Sequence, residues 1–384
     1  MHRNTKRRAT PSRHSGLTDA APTCDIFCRV VDNYGDIGVG WRLARQISRE
    51  HGFRVRLVVD DLASFRKLVP AIDVRQQEQS VDDVTVVEWR APLELAAPAA
   101  LVIEAFGCEL PDSYATAMAH RPIRPVWINL EYLSAEAWVE SHHLLPSPHQ
   151  CHPLIKHFFF PGFTAKTCGV IRESDLTTPH EVSDSDNDTE LRVFVFAYEN
   201  CPADTLMFAM AKQQQPVRCL VSEGKLSERL KYRCAFQPEN AREPAPALSF
   251  DVVPFVPQSA FDELLRQHDI LFVRGEDSLV RALWAAKPFV WQIYPQSEDA
   301  HWVKLNAFLD LYCEGLSEAA NTALRELWRA WNAADHAAIE IAWAVFYSQL
   351  GELRHHAKSW SIRQSKLPDL ASNLLSFYQK TAKI

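Results

Sequence analysis

The sequence lacks the short motifs that assign many enzymes to a class directly. It contains no GxGxxG, no P-loop lysine, no HExxH and no GxSxG. These absences count against the usual dinucleotide enzymes, P-loop NTPases, zinc peptidases and serine hydrolases. Its nine cysteines are scattered without a CxxC pair, so no zinc-ligand spacing is present, and reduced thiols in a cytoplasmic protein are expected.

Long apolar runs and an excess of basic charge are also missing. No stretch approaches eighteen apolar residues, so we expect no membrane-spanning helix and no membrane partner. The net charge is −7, and a nucleic-acid partner is not expected because such proteins usually carry a clustered basic surface. Residues 1–21 are basic but lack the apolar core of a secretory signal, so they are predicted to be a disordered tail.

Glycine is scarce, with 12 in 384 residues, yet three fall within six positions, at Gly35, Gly38 and Gly40. The surrounding segment, CDIFCRVVDNYGDIGVGWRLARQISRE, is typical of a strand, a glycine-rich turn with positive φ angles, and a helix. The turn carries Asp32 and Asp36. Two carboxylates at the carboxyl edge of a strand favour base chemistry or a cationic substrate over phosphate binding. Capping and turn formation by aspartate is the alternative, and it explains one of the two more easily than both.

Apolar strands alternate with helices through most of the chain, which predicts parallel sheets covered on both faces. Strands are predicted at 54–61, 85–89, 100–107 and 125–133, and again at 191–198, 216–222, 249–256, 269–277 (strand and turn) and 288–294. We therefore predict an α/β protein with two Rossmann-like domains, at 22–171 and 191–365, facing a central ligand cleft. Residues 172–190 are polar and acidic and are expected to form an exposed linker or insertion, and residues 366–384 a C-terminal helix.

The RGEDS segment of the second domain follows an apolar strand and opens a helix, so the N–H groups at the helix start are predicted to bind phosphate. Arg274 can clamp a phosphate, and Ser278 can donate to it or cap the helix. Glu276 and Asp277 would repel phosphate unless one of them accepts from a sugar hydroxyl instead. The alternative is an ordinary N-cap with a surface salt bridge.

Aromatic residues accompany two further strand ends of the second domain. Phe196 and Tyr198 alternate at the end of one predicted strand, and Phe255 and Phe261 flank Gln258 after another. Rings with an amide nearby can stack on a flat base and hydrogen bond to it, which predicts a nucleotide site. Core packing is the alternative for each single ring.

Five segments together resemble a known family. They are DNYGDIGVGWRLARQ, HFFFPGFTAKTCG, FAYEN, RGEDSLVRA and KPFVWQIYPQ. In this order they are similar to the bacterial protein-arginine rhamnosyltransferases that modify translation elongation factor P, the EarP-type family, over about residues 22–380. The resemblance implies a GT-B fold, dTDP-β-L-rhamnose as donor and one arginine of elongation factor P as acceptor. It also implies inversion at the anomeric carbon, no metal and no cofactor, and C-terminal helices that cross back to the first domain.

The resemblance also implies roles for particular residues. Asp32 and Asp36 match the two aspartates of the family's first domain, and Glu276 matches its third functional carboxylate. The donor-binding set, implied by the matching motifs or adjoining them, is Asn33, Tyr34, Gly35, Phe196, Tyr198, Phe255, Gln258, Phe261, Arg274, Asp277 and Ser278. Because a carboxylate can orient a guanidinium and accept its proton, we assign Asp36 as the base and Asp32 as the orienting group, with the reverse order as the alternative.

Three other functions stay open on the sequence. The first is a GT-B transferase that uses another nucleotide sugar or acceptor. The second is an oxidoreductase on a Rossmann scaffold, against which the missing GxGxxG counts. The third is a non-catalytic scaffold for a translation factor, whose partner binding would not depend on the three carboxylates.

Overall fold

The structure, a computed structural model, describes residues 21–31, 34–90, 93, 95, 97–176, 190–234 and 248–382. Asp32 and Asn33 lie outside the described residues, as do residues 1–20 of the predicted tail and 177–189 of the predicted linker. The described chain forms two mainly parallel sheets with helices packed against them.

The first sheet is built from Thr23–Cys28 (β1), Arg54–Val59 (β2), Glu78–Val81 (β3), Val84–Glu88 (β4), Leu101–Ala105 (β5), Val126–Leu130 (β6), Pro146–Pro148 (β7) and Ile155–Phe159 (β8). The strand order is β3-β4-β2-β1-β5-β6-β8-β7, and only β3 and β7, at the two edges, pair antiparallel. The helices of this part are Gly35–His51 (α1), Leu62–Leu68 (α2), Asp112–Ala119 (α3) and Trp138–His142 (α4). The central strands β1, β5 and β6 are mainly apolar and almost entirely buried, as expected for a sheet that is covered on both faces.

The second sheet is built from Leu191–Val195 (β9), Val217–Ser222 (β10), Leu248–Val253 (β11), Ile270–Arg274 (β12) and Phe289–Gln292 (β13). All five strands are parallel, in the order β11-β10-β9-β12-β13. The accompanying helices are Ala203–Ala211 (α5), Lys225–Cys234 (α6), Gln258–Arg266 (α7), Gly275–Ala285 (α8) and Ala300–Tyr312 (α9). The strand order reverses beside β1 in one sheet and beside β9 in the other, and such switch points are where open α/β sheets bind ligands.

The C-terminal part is helical, with Glu318–Asn332 (α10), Ile339–Ser348 (α11), Leu350–Ser365 (α12) and Leu370–Thr381 (α13). The first three pack on the second core, which buries Trp328, Trp343 and Trp360. Helix α13 belongs to the other core, where its leucines are buried with α1 and β1. The C-terminal segment therefore returns to the first domain.

The glycine-rich segment is not the turn that the sequence predicts. Helix α1 already begins at Gly35, so Asp36, Gly38 and Gly40 lie inside it, and none of the three glycines has a positive φ. They permit close packing instead. A Cβ on Gly38 would come 3.2 Å from Nε2 of Gln258, and one on Gly40 would lie 3.7 Å from the side chain of Cys28.

Other elements also differ from the expectation. The predicted strand and turn at 269–277 is strand only to Arg274, and α8 begins at Gly275. The edge strands β3 and β7 were not predicted, because β3 is short and polar and β7 contains two prolines, which suit sheet edges only. In the part of the chain that the structure describes, no helix is long and apolar enough to span a bilayer.

Candidate active site

Two cavities lie side by side between the domains. The aromatic cavity, about 740 Å³, is lined by Tyr34, Gly35, Leu68, Phe194, Phe196, Tyr198, Ser222, Val253, Pro254, Phe255, Val256, Gln258, Phe261, Leu264, Arg274, Gly275, Glu276, Asp277 and Ser278. The carboxylate cavity, about 1340 Å³, is lined by Val31, Gly35, Asp36, Val39, Phe106, Tyr132, Gly275, Glu276, Trp291, Ile293, Tyr294, Pro295, Gln296, Ala300 and Lys304. Gly35, Gly275 and Glu276 border both, so a ligand in one cavity can reach the other.

The start of α8 forms one wall of the aromatic cavity. Gly275 enters the helix with a φ of 70°, and its carbonyl accepts a 3.0 Å hydrogen bond from Nε1 of Trp291. The first N–H groups of a helix have no partner within it and carry its positive dipole end. Ser278 in the first turn is buried and also lines the cavity. This wall can therefore accept an anionic group such as a phosphate.

Arg274, which immediately precedes α8, is held by two aromatic rings. Its guanidinium carbon lies 4.6 Å from the ring centroid of Phe196 and 4.6 Å from that of Tyr198. Nη1 also reaches the carbonyl oxygen of Ala197 at 3.5 Å. Stacking of this kind orients the guanidinium plane. The structure thus brings together three predicted site residues that come from two strand ends.

The remaining aromatic residues form paired walls. The rings of Phe196 and Phe261 are 5.6 Å apart, and those of Tyr34 and Phe255 are 5.1 Å apart. All four are half-buried, so each keeps ring surface outside the core. Half-buried rings on a cavity wall suit stacking against a flat ligand better than core packing does.

Glu276 and Asp277 each have a basic partner. Glu276 forms an ion pair with Lys304, and its Oε2 accepts a 2.8 Å hydrogen bond from the N–H of Leu133. Asp277 pairs with Nε of Arg42 at 3.0 Å and accepts from Nε2 of Gln258 at 3.2 Å. Because a cation lies beside each carboxylate, their repulsion of a phosphate at the α8 start is reduced. The side chain of Asp277 is directed to the first domain.

Asp36 lines the carboxylate cavity from the first turn of α1. It is 3% exposed, and its Oδ2 accepts a 2.9 Å hydrogen bond from the N–H of Val31. Burial raises the pKa of Tyr132, and the charges of Asp36 and Glu276 and a hydrogen bond to Asp36 raise it further. The Tyr132 phenol therefore stays protonated at neutral pH and donates a hydrogen bond to Asp36. Asp32 and Asn33, the other predicted residues of this segment, are not among the described residues.

Sequence reasoning missed Phe106, Tyr132 and Lys304. The rings of Phe106 and Tyr132 stack at 4.7 Å. Phe106 has a φ of 59°. Its loop is held by a 3.0 Å hydrogen bond that the N–H of Glu109 donates to Oε1 of Glu104. Both rings follow strands at the carboxyl edge of the first sheet, and that position is the signal that could have found them. No local signal marks Lys304.

A buried ion cluster joins the two domains next to the site. Arg42 contacts Glu173 at 3.1 Å and Asp262 at 3.2 Å, and Arg281 contacts the same two carboxylates at 2.6 Å each. Burial raises the pKa of Glu173 and Asp262, but the two arginines outweigh it and hold both below their ordinary values. Glu173 belongs to the predicted exposed linker, yet its side chain is only 13% exposed. Here that prediction is wrong, because Glu173 pairs with two arginines.

Comparison with known proteins gives one consistent result. The family model for elongation factor P (EF-P) rhamnosyltransferase EarP matches residues 24–379. A protein-arginine rhamnosyltransferase of Pseudomonas putida is 45% identical over 376 residues, which cover 94% of this chain and 99% of that protein. The Pseudomonas aeruginosa protein of the same name is 42% identical over 371 residues, or 92% of this chain and 98% of that one.

Solved structures agree on the fold. A structure described as the basis of EarP-mediated arginine glycosylation of translation elongation factor EF-P has a TM-score of 0.64 and 34% identity, and it covers 94% of this chain and 99% of its own. The spinosyn rhamnosyltransferase SpnG has a TM-score of 0.51 at 10% identity, over 94% of this chain and 100% of its own, and indicates the fold alone. The predicted GT-B architecture is confirmed.

Proposed function

We propose, because the chain belongs to the EarP family of elongation factor P rhamnosyltransferases, that it moves L-rhamnose from dTDP-β-L-rhamnose to an arginine of elongation factor P with inversion. The observation that carries this proposal is the meeting of the aromatic and carboxylate cavities at Gly35, Gly275 and Glu276. One cavity has the groups that a nucleotide requires, and the other has those that a guanidinium requires. The sugar would lie where they meet.

The donor would lie in the aromatic cavity. Thymine would stack among the half-buried rings, beside Gln258, whose Oε1 is buried and has no hydrogen-bond partner among the described residues. That oxygen can accept the ring N–H of thymine. The diphosphate would lie at the start of α8, where Ser278 and Arg274 can donate to it.

The acceptor guanidinium would enter the carboxylate cavity. A guanidinium is protonated at all ordinary pH values and is a poor nucleophile until a proton leaves. Asp36 would accept that proton as the nitrogen forms its bond to the anomeric carbon and the bond from that carbon to the diphosphate oxygen breaks. Glu276 would hold the cation from the side shared with the donor. A single displacement of this kind inverts the anomeric centre.

Charge on the departing dTDP would be balanced by protein groups. Arg274 and the N–H groups of α8 supply positive charge at the predicted diphosphate position, so the proposed reaction does not require a metal or a cofactor. Asp32 is proposed to orient the guanidinium beside Asp36. The acceptor is a translation factor, and on that ground we place the reaction in the cytoplasm.

The decisive experiment is the intact mass of elongation factor P after incubation with this protein and dTDP-β-L-rhamnose. We expect a gain of one deoxyhexose, located on one arginine by fragmentation, and no gain when that arginine is replaced by lysine. A parallel panel with dTDP-glucose and UDP-glucose tests the donor. If elongation factor P is modified with one of these two donors but not with dTDP-rhamnose, the protein is still a glycosyltransferase, but the proposed donor is wrong. An unmodified mass with every donor would overturn the function.

A further inference from the structure

Lys304 on α9 points into the carboxylate cavity. Its side chain is 15% exposed, and its ammonium pairs with Glu276 and lies 5.9 Å from the ring centroid of Tyr132. Among the described residues that line this cavity, it carries the one basic side chain. It does not line the aromatic cavity, where the phosphate-binding groups lie.

The surroundings of this ammonium are those that a guanidinium would need. A carboxylate accepts its charge, and an aromatic face lies within the distance at which cations are attracted to a ring. Tyr132 is itself fixed by stacking on Phe106 and by its contact with Asp36. A carboxylate and a ring face favour a cation at this position, and the ammonium of Lys304 occupies it.

We propose that Lys304 occupies the acceptor subsite until the acceptor arginine displaces it from Glu276. The inference rests on the proposed function and names the group with which the acceptor competes. A guanidinium can displace an ammonium because it binds a carboxylate through two parallel N–H bonds and stacks on a ring. A lysine acceptor would offer only an ammonium, the same group as Lys304, and would gain nothing by displacing it. Displacement of Lys304 from Glu276 therefore favours an arginine acceptor over a lysine. Lys304 also keeps Glu276 paired, since an unpaired half-buried carboxylate is costly.

The test uses Lys304→Met, which removes the ammonium, and Lys304→Arg, which places a guanidinium in the subsite. Binding of the acceptor analogue methylguanidine is measured by calorimetry without donor, and KM for elongation factor P and kcat are measured separately. Lys304→Met should tighten methylguanidine binding and lower the acceptor KM by about two- to fivefold, the range of a modest ion pair. Lys304→Arg should raise the methylguanidine Kd and the acceptor KM by a similar factor. The dTDP affinity should stay unchanged in both variants.

The matched control is Lys166→Met, which breaks an exposed 3.0 Å pair with Glu140 on the surface and should change none of these values. If Lys304→Met lowers kcat and leaves the acceptor KM and methylguanidine binding unchanged, Lys304 supports the chemical step and the inference is overturned. Wild-type values in Lys304→Arg overturn it as well, and this variant decides alone if Lys304→Met does not fold. Methylguanidine binding decides the inference even when no product forms, whereas absence of product from the wild type counts against the proposed function.

Discussion

Arg42 of the first domain and Asp277 of the second form an ion pair with 3.0 Å between Nε and Oδ1, and the Arg42 side chain is only 3% exposed. Asp277 stands in the first turn of the helix proposed to bind the diphosphate. The first turn of α8 therefore forms part of the contact between the domains and also part of the proposed donor cavity. A change in the buried ion cluster should affect both stability and donor binding, and a change in the donor cavity should not unfold the protein.

Replacing Arg281 with methionine should destabilise the protein strongly. The Arg281 side chain is 1% exposed and pairs with Glu173 and Asp262, so its loss leaves two buried carboxylates with Arg42 alone. Removing one partner of a buried ion pair costs about 3–5 kcal/mol. Urea unfolding measures this cost. The control Arg218→Met breaks an exposed pair with Asp251 and should cost about 1 kcal/mol at most. Equal losses in the two variants would contradict the role of the cluster.

The same cluster predicts loss of stability in acid. The pKa values of Glu173 and Asp262 are lower in the folded protein than in the unfolded chain, because the attraction of two arginines outweighs the effect of burial. Such carboxylates stabilise the fold fully at any pH above their pKa in the unfolded chain, which is near 4. This stabilisation disappears as the pH falls through their lower pKa values in the folded protein. The thermal midpoint should therefore fall below about pH 5. In Arg281→Met the fall should be smaller, and a gap between the proteins that widened in acid would contradict this account.

Asp36→Asn should strongly slow transfer and leave the fold intact. The amide keeps an oxygen that can accept the N–H of Val31, now 2.9 Å from the carboxylate, but it cannot accept the guanidinium proton. Loss of a general base lowers rates by about 10²–10⁴-fold. Single-turnover transfer followed by intact mass measures the rate, and calorimetry with dTDP measures donor affinity. Asp112→Asn, an exposed aspartate in the first turn of α3, is the control. A wild-type rate in Asp36→Asn would remove this residue as the base.

Arg274→Ala should weaken dTDP binding by about 1.5–3 kcal/mol, the range of a hydrogen bond to a charged group. Arg274→Lys keeps the charge but loses the planar group that now lies over Phe196 and Tyr198, so it should restore only part of the affinity. Calorimetry with dTDP measures both variants, with Arg218→Ala as the surface control. Undiminished affinity in Arg274→Ala would place the diphosphate elsewhere.

The sequence predicted the residues at the strand ends of the second sheet, but it missed Phe106 and Tyr132 at those of the first. Phe196 and Tyr198 follow β9, Arg274 is the last residue of β12, and topology alone brings such positions to one edge. Contacts between distant segments left no local pattern. Arg42 contacts Glu173 and Asp277, which are remote from it in the chain, and Lys304 of α9 acquires its role only through its ion pair with Glu276 of α8. The predicted turn at Gly38 was wrong for a related reason. In sequence, a glycine that permits close helix packing cannot be distinguished from a glycine that permits a turn.

Gly38→Ala should strengthen helix α1 and weaken donor binding. Alanine favours a helix interior over glycine by about 0.5–1 kcal/mol. The new methyl group would lie 3.4 Å from Oδ2 of Asp277, an ordinary contact, but only 3.2 Å from Nε2 of Gln258. Gln258 must therefore shift by a few tenths of an ångström, and it lines the aromatic cavity. Gly351→Ala is the matched control, because it lies in α12 with no neighbouring atom within 4 Å of the added carbon and can gain only the helix term. Calorimetry with dTDP should show weaker binding for Gly38→Ala alone. Equal dTDP affinity in both variants would contradict this prediction, because the contact of α1 with α7 and α8 would then accept the methyl group without a change in the donor cavity.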